Sequence, residues 1–391
     1  MKRIGIYGGT FNPPHVGHLR AAQYALQTLQ LEEILVIPSF ISPHKKLPDG
    51  SGTPQQRLEM TGLCFCQPGF TVSDIELSRG GTSYTYQTAE ALREQYPDAE
   101  LVLLMGTDMF LSFLNWVEPQ KILNCVSLGV FYRGEKGEID SVAKQKAEIE
   151  ALGAKVYLLE NPVTEISSTD LRRMLVFGCA GDHLTEAVLS YIQKAGLYGC
   201  GENYRNLPTE TLEAVVTSLL KPNRVAHVLG CRDTAVALAN RWGADPVAAA
   251  RAGLLHDITK ALDGPLQLTL CSAYGIILDN FATHNPKTLH ALTGSLVAER
   301  VFGESEAVVS AICSHTTGKA GMNTLEKIIY VADYMEPNRD FPGVEQLRHL
   351  AFTDLDGALK RGLEMTLAVL QQEGKEIFPE SRQALDYLNG K

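Results

Sequence analysis

The chain has 391 residues, 45% hydrophobic and 20% charged, and its 35 basic against 45 acidic residues leave a net charge of -10. That length favours two domains over a single core, and the composition is that of a globular protein; the acidic balance argues against general nucleic-acid binding but not against small anionic substrates. The opening residues MKRIGIYGG run straight into a strand pattern with no signal peptide, no apolar run is long enough to span a bilayer, and the eight scattered cysteines lack zinc-site spacing, so a cytoplasmic protein with reduced thiols and no membrane partner is expected.

In chain order, Arg3–Tyr7 is an apolar run of the kind a fully buried strand needs. Gly8-Gly9 then permit a tight turn and close backbone approach to a ligand. Pro13-Pro14 stiffen the loop, and His15 and His18, three apart at the start of a helix expected over Val16–Leu29, can share one face. Backbone N–H groups and the helix dipole favour an anion there, so Gly8, Gly9, Thr10 and Phe11 with the two histidines form a candidate phosphate cradle. A strand at Ile34–Pro38 follows, and Lys45, in Pro43-His44-Lys45, offers further positive charge. A helix is expected over Tyr84–Tyr96 and a strand over Leu101–Met105. Asp108, in Gly106-Thr107-Asp108, thereby falls at a strand's carboxyl end, where ligands of open parallel sheets bind. A strand at Ser127–Tyr132, a helix at Val142–Leu152 and a strand at Lys155–Leu159 complete an alternation that predicts a mostly parallel sheet with helices on both faces. Next comes Ile166–Arg172 (ISSTDLR): Ser168 or Thr169 is expected to cap a helix, leaving N–H groups and Arg172 for phosphate oxygens.

After Tyr198 the texture changes. Gly199–Pro208 is polar and rich in turn formers and reads as a linker. Helical periodicity then takes over, with helices expected at Val225–Trp242, Pro246–Ala261, Ala291–Phe302, Ser305–Ser314, Leu325–Met335 and Val344–Gln372. Ionisable residues sit in these helices where the pattern predicts burial: His227, His256-Asp257, His290, His315 and Asp333. A buried unpaired carboxylate is expensive, so Asp257 and Asp333 need a cation or a dense set of donors. Histidines and aspartates on neighbouring helices are what a hydrolytic metal site requires. Each histidine alone reads as well as a satisfied core or surface residue; the set together favours the metal.

The region to about Tyr198 resembles the bacterial nicotinate-nucleotide adenylyltransferases of the HxGH nucleotidyltransferase superfamily. The HxGH element is His15-Val16-Gly17-His18, the second signature ISSTxxR is Ile166–Arg172, and Asn12-Pro13-Pro14 with Thr82–Thr85 (TSYT) is similar to the pyridine mononucleotide branch. The resemblance implies an α/β domain with a Rossmann-like parallel sheet over residues 1–198. It implies that ATP, accompanied by Mg2+, binds through Thr10, His15, His18 and the turn Ile166, Ser167, Ser168, Thr169, with Arg172 and Lys45 nearby. It further implies that nicotinate mononucleotide stacks near Trp116, meets Thr85 and attacks the α-phosphate directly, giving deamido-NAD and pyrophosphate. Residues 209–391, beyond the linker at 199–208, resemble the HD-domain phosphohydrolases, closest to the YqeK-type group that cleaves diadenosine tetraphosphate symmetrically into two ADP. That resemblance implies an all-α domain with a dinuclear metal site. One metal would take His227, His256, Asp257 and Asp333; the second would take His290, His315 and the bridging Asp257. Iron is the family's usual metal, and the mixed ligands also admit Mn or Zn. Lys260 and Arg339 are candidate contacts to substrate phosphate. Two further readings of the helical half stay open: a regulatory nucleotide-binding module without turnover, and a hydrolase for a (p)ppGpp-like or other nucleotide. The sequence sets no oligomeric state and is compatible with a homo-oligomer.

Overall fold

The computed structural model describes residues 2–43, 47–132, 136–160 and 166–390. The chain divides into two compact units: residues 1–176 with 180–201, and residues 177–179 with 202–391.

In the first unit six strands form one parallel sheet: β1 (Arg3–Gly9), β2 (Glu33–Pro38), β3 (Phe70–Val72), β4 (Glu100–Gly106), β5 (Ser127–Tyr132) and β6 (Val156–Glu160). Their spatial order is β3-β2-β1-β4-β5-β6, so the winding reverses between β1 and β4. The inner strands are buried on both faces, which is why each reads as an unbroken apolar run; β4 shows five consecutive buried residues. Register positions the site. β1 stays paired with β2 as far as Gly9↔Pro38, but its pairing with β4 ends at Ile6↔Leu103. Past that point β1 and β4 separate at their carboxyl ends and open a crevice at the reversal point. β3 escaped the sequence reading because three residues at a sheet edge show no periodicity. The helix Pro54–Cys64 was also missed, although Thr53, Pro54 and Gln56 spell its start: Thr53 Oγ1 accepts the Gln56 N–H at 3.2 Å and Gln56 Oε1 accepts the Thr53 N–H at 2.9 Å.

The second unit is helical, with no strand among its described residues. Its helices include Pro222–Trp242, Pro246–Leu255, Leu289–Arg300, Glu306–Ser314 and Thr324–Met335. Gly243, at φ 72°, ends the first of these, and Asp245 Oδ1, accepting the Val247 N–H at 2.8 Å, starts the second. The two lie very close at Gly253, where a Cβ would stand 2.7 Å from Arg232 Cα. Two expected helices prove shorter. The helix over Pro246–Ala261 ends at Leu255, because bonds from Ile258 N–H to Leu255 O and from Lys260 N–H to Asp257 O tighten the chain into turns. The helix over Val344–Gln372 is two, Val344–Ala351 and Leu355–Gln372, split where Asp354 Oδ1 accepts the Gly357 N–H at 3.0 Å and caps the second. The stretch Gly199–Pro208 is more than a tether. Tyr204 packs against Phe302 at 5.9 Å between ring centroids, and Arg251 Nη1 donates to Leu207 O at 2.7 Å. No described helix is long and apolar enough to cross a membrane.

Two candidate active sites

In the first unit the loop after β1 leads into the helix Val16–Thr28, whose N-cap is His15. His15 Nδ1 accepts the His18 N–H and His18 Nδ1 accepts the His15 N–H, both at 3.3 Å. Two imidazoles thus make the reciprocal cap that a hydroxyl and a carboxylate or amide usually form. Their rings stack at 3.6 Å between centroids. With each Nδ1 accepting from the backbone, a neutral ring must hold its proton on Nε2. Burial, with the neighbouring charges of His18 and His183, holds His15 well below the usual imidazole range, and burial pushes His18 down to about 3. Both rings are neutral Nε2–H donors near pH 7.

The loop between strand and helix is pinned from several sides. Arg57, fully buried on the helix Pro54–Cys64, donates to Thr10 O at 2.7 Å and to Phe40 O at 3.0 Å. Tyr198 donates to Asn12 Oδ1 at 2.8 Å, and Asn12 Nδ2 donates to Ser51 Oγ at 2.8 Å. Arg172 Nη1 donates to Asn12 O at 2.8 Å, and Ser168 Oγ donates to Pro13 O at 3.4 Å. The two sequence signatures, about 150 residues apart, therefore meet through Arg172 and Ser168. Phe11 is held in the left-handed region at φ 47° while its ring packs on Tyr7, His18 and Phe65. The cap of the helix Ser168–Val176 is Ser167, whose Oγ accepts the Asp170 N–H at 3.0 Å, and not Ser168 or Thr169 as expected; the helix starts one residue earlier, which frees Ser168 to face the loop.

A cavity of about 310 Å³ occupies the crevice. Ile6 to Phe11 form one wall and Leu103 to Gly106 another, with His18, Thr85, Trp116 and Ser168 also facing in. Of the expected residues, Gly8, Gly9, Thr10, Phe11, His18, Thr85, Trp116 and Ser168 line it. His15 does not; it is 3% exposed and stacks behind His18. Ile166 is buried, Ser167 and Thr169 lie on the turn beside the loop, and Arg172 is engaged by Asn12 and, at 3.0 Å, Thr169. Asp108 is exposed in the first turn of the short helix Thr107–Leu111, outside the cavity lining. Lys45 lies outside the described residues. The sequence reading missed Ser39, Glu76 and Thr88; Ser83, which also lines the cavity, lies in the Thr82–Thr85 segment it singled out. Ser39 directly follows β2 and could have been found from the rule that ligands sit at strand carboxyl ends. Glu76, 8% exposed, accepts from Thr88 Oγ1 at 2.8 Å, and nothing in its local sequence marks it.

In the second unit all six expected ligands come together. His227 Nε2 lies 3.2 Å from Asp333 Oδ1 and 3.2 Å from His256 Nε2. Asp257, 1% exposed, is shared: its Oδ2 is 3.6 Å from the Nε2 atoms of both His227 and His256, and its Oδ1 is 3.5 Å from His290 Nε2 and 3.9 Å from His315 Nε2. The outer nitrogens are anchored. His256 Nδ1 meets Gly253 O at 2.8 Å, His315 Nδ1 meets Ile312 O at 2.6 Å, and His227 Nδ1 meets Glu336 Oε1 at 3.1 Å. Each Nε2 is left facing the carboxylates. Burial holds His256 and His315 below the ordinary imidazole range. Burial opposes ionisation of Asp333 too, but His227, His256 and Arg339 outweigh it and hold the carboxyl well below its usual range. Two Nε2 atoms 3.2 Å apart, both turned on carboxylate oxygens, make a donor set that fits divalent cations: His227, His256 and Asp333 form one group able to hold an ion, and His256, Asp257 and His315 another.

Three cations surround the cluster. Arg339 Nη2 donates to Asp333 Oδ1 at 2.6 Å, Lys260 Nζ is 2.9 Å from His290 Nε2, and Arg224 donates to Asp257 Oδ2. Burial pushes Lys260 down to about 8. Arg224 escaped the sequence reading, though it precedes His227 by three residues and so shares its helix face.

Residues 6–174 match the cytidylyltransferase-like family and residues 224–338 match the HD domain. A probable nicotinate-nucleotide adenylyltransferase of Hydrogenovibrio crunogenus is 41% identical over 204 residues, covering 50% of this chain and 97% of that protein. A symmetrical bis(5'-nucleosyl)-tetraphosphatase of Bacillus subtilis is 38% identical over 169 residues, covering 43% of this chain and 90% of that protein. A solved structure from Clostridium acetobutylicum, described as a predicted HD superfamily hydrolase involved in NAD metabolism, is 37% identical with a TM-score of 0.46, and the match covers 47% of this chain and 98% of that one.

Proposed function

Because this chain belongs in its first half to the nicotinate-nucleotide adenylyltransferases and in its second to the HD-domain hydrolases, we propose that it transfers AMP from ATP to nicotinate mononucleotide and, separately, hydrolyses diadenosine tetraphosphate to two ADP. For the transfer, the supporting observation is the paired histidine cap at the mouth of β1. ATP phosphates lie along Gly8 to Phe11 against Ser168, and Mg2+ bound with them would screen their charge. The His18 Nε2–H donates to an oxygen of the transferred phosphoryl group, and His15 holds His18 in that tautomer. The mononucleotide sits between Thr85 and Trp116, with Asp108 at the entrance, and its phosphate oxygen attacks the α-phosphorus as pyrophosphate leaves. Neither histidine needs to gain or lose a proton; His18 stabilises charge that grows in the transition state, and His15 acts through it. Arg172, steadied by Thr169, acts by holding the loop at Asn12, and Ser167 acts by capping the helix that carries both.

For the hydrolysis, the supporting observation is that Asp257 turns one oxygen to His227 and His256 and the other to His290 and His315. His227, His256 and Asp333 would hold one divalent cation, His290 and His315 the other, with Asp257 between them. Such a pair supplies an activated water and neutralises phosphate charge. Iron, or Mn or Zn, suits this mixed nitrogen and oxygen set. Lys260 and Arg339 flank the cluster and hold the polyphosphate oxygens.

Product assays of the purified chain test both halves. His18→Ala should lower adenylyl transfer by roughly 10²–10³-fold, as for loss of one preorganised donor, and leave hydrolysis intact. Asp257→Ala should abolish hydrolysis alone. Loss of both activities from either change would sink independent sites. Cleavage of a guanosine polyphosphate in place of the diadenosine substrate would replace the second half of the reading.

A further inference from the structure

The turn that follows the helix Thr324–Met335 is built with unusual care for a surface connection. Arg348 Nε donates to Met335 O at 2.9 Å, and its Nη2 donates to Glu336 O at 2.9 Å and to Arg339 O at 2.8 Å. Three carbonyls on one guanidinium fix the backbone of residues 335–339. From this turn Glu336 points inward and is 1% exposed. Its Oε2 accepts from Asn338 N at 2.7 Å and from Asn338 Nδ2 at 2.8 Å. Its Oε1 faces His227 Nδ1 at 3.1 Å. Asn338 Nδ2 also donates to Ala226 O at 3.0 Å, tying the turn to the helix that bears His227. Space for the carboxylate comes from Gly230, where a Cβ would meet Glu336 Oε2 at 2.4 Å.

A fully buried carboxylate is costly unless its charge is used. Glu336 meets the cluster at the outer nitrogen of His227 and belongs to neither group of residues able to hold an ion. A carboxylate on that nitrogen fixes the ring's orientation, commits the proton to Nδ1, and makes Nε2 a stronger electron donor. His256 and His315 receive only neutral carbonyls at the same place, from Gly253 and Ile312. His227 is singled out.

We propose that Glu336 is the positioning residue for the metal held by His227, His256 and Asp333, and that it raises that ion's affinity through His227 without touching it. The inference rests on the reading of this cluster as a metal site. The same turn carries Arg339 to Asp333, so one rigid element sets two of the three ligands of that ion.

The test is equilibrium binding of Mn2+, and separately Zn2+, to the full chain against a competing chelator, for the unsubstituted protein, Glu336→Gln and Glu336→Ala. The alanine variant should weaken the tighter site by roughly 10–100-fold. The glutamine variant keeps an acceptor of the same shape without the charge and should fall between. Helical content by circular dichroism of the metal-free variants serves as the check on folding. A purely structural role would lower the melting temperature of the metal-free protein and leave the affinity of the folded form unchanged; that result, or equal affinity in all three proteins, overturns the proposal. Should the unsubstituted chain bind no divalent ion, the reading of the cluster itself fails, which is a separate outcome. If the alanine variant does not fold, the isosteric glutamine variant alone decides.

Discussion

At the scale of single residues, both sites rest on which imidazole nitrogen bears the proton. His15 and His18 have Nδ1 committed as acceptors, and His227, His256 and His315 have it committed on carboxylate or carbonyl. The first arrangement suits an anion, to which it would present N–H; the second suits a cation, to which it would present lone pairs. On the proposed reading one side-chain type serves opposite charges in the two halves. Because burial takes His18 from the ordinary imidazole value near 6.5 down to about 3, the unfolded chain binds more protons than the folded one between those values. Folding stability supplied by the neutral ring is complete above about pH 6.5 and is lost as pH falls below it. The melting temperature of the first unit should thus drop between pH 7 and 5 in calorimetry, and His18→Gln should flatten that slope. The His and Asp cluster was legible in the sequence because each His or Asp interrupts an apolar helical pattern. Glu336 was not, because a glutamate in Glu336-Pro337-Asn338-Arg339 reads as an exposed turn until the fold buries it.

Elements were legible where their burial is symmetric and obscure where tertiary contacts set an end. The central strands, covered on both faces, stood out as apolar runs. The end of Pro246–Leu255 did not, since His256-Asp257 continue a helical pattern that short-range turn bonds override. That break matters, because it swings Asp257 between the two histidine groups. The same helix owes its position to Gly253, against which the backbone of Arg232 leaves no room for a methyl group. Gly253→Ala should separate the helices bearing His227 and His256, cost about 1–3 kcal/mol as an overpacked core does, and reduce metal content and hydrolysis at least tenfold. Adenylyl transfer should be unchanged. Elemental analysis beside both assays checks this, and full retention of metal would contradict the close-packing account.

At the scale of the whole molecule, the described residues named for each candidate site fall within one unit. The boundary was visible in composition, but the ordering of Tyr204 to Leu207 against Phe302 and Arg251 was not, because polar turn formers carry no sign of what will capture their carbonyls. Independent sites imply independent requirements. Chain stripped of metal by chelation and then given Mg2+ with ATP should transfer adenylyl groups at its full rate while hydrolysing no tetraphosphate, and iron or manganese should restore the second activity alone. Rates measured on the stripped and reloaded protein decide it.

The histidine cap of Val16–Thr28 has one more consequence, for how this helix can change. A serine at position 15 and a glutamate at position 18 would make a stronger cap, worth about 1 kcal/mol, and would relieve the burial of two titratable rings. They would also remove the His18 donor from the cavity wall, together with the ring stacked behind it, and set a negative charge beside the phosphates. Sturdiness and catalysis compete for the same two side chains, so the first turn of this helix is closed to the commonest route of thermal improvement, and any gain in robustness of the first unit must be sought elsewhere in its sheet.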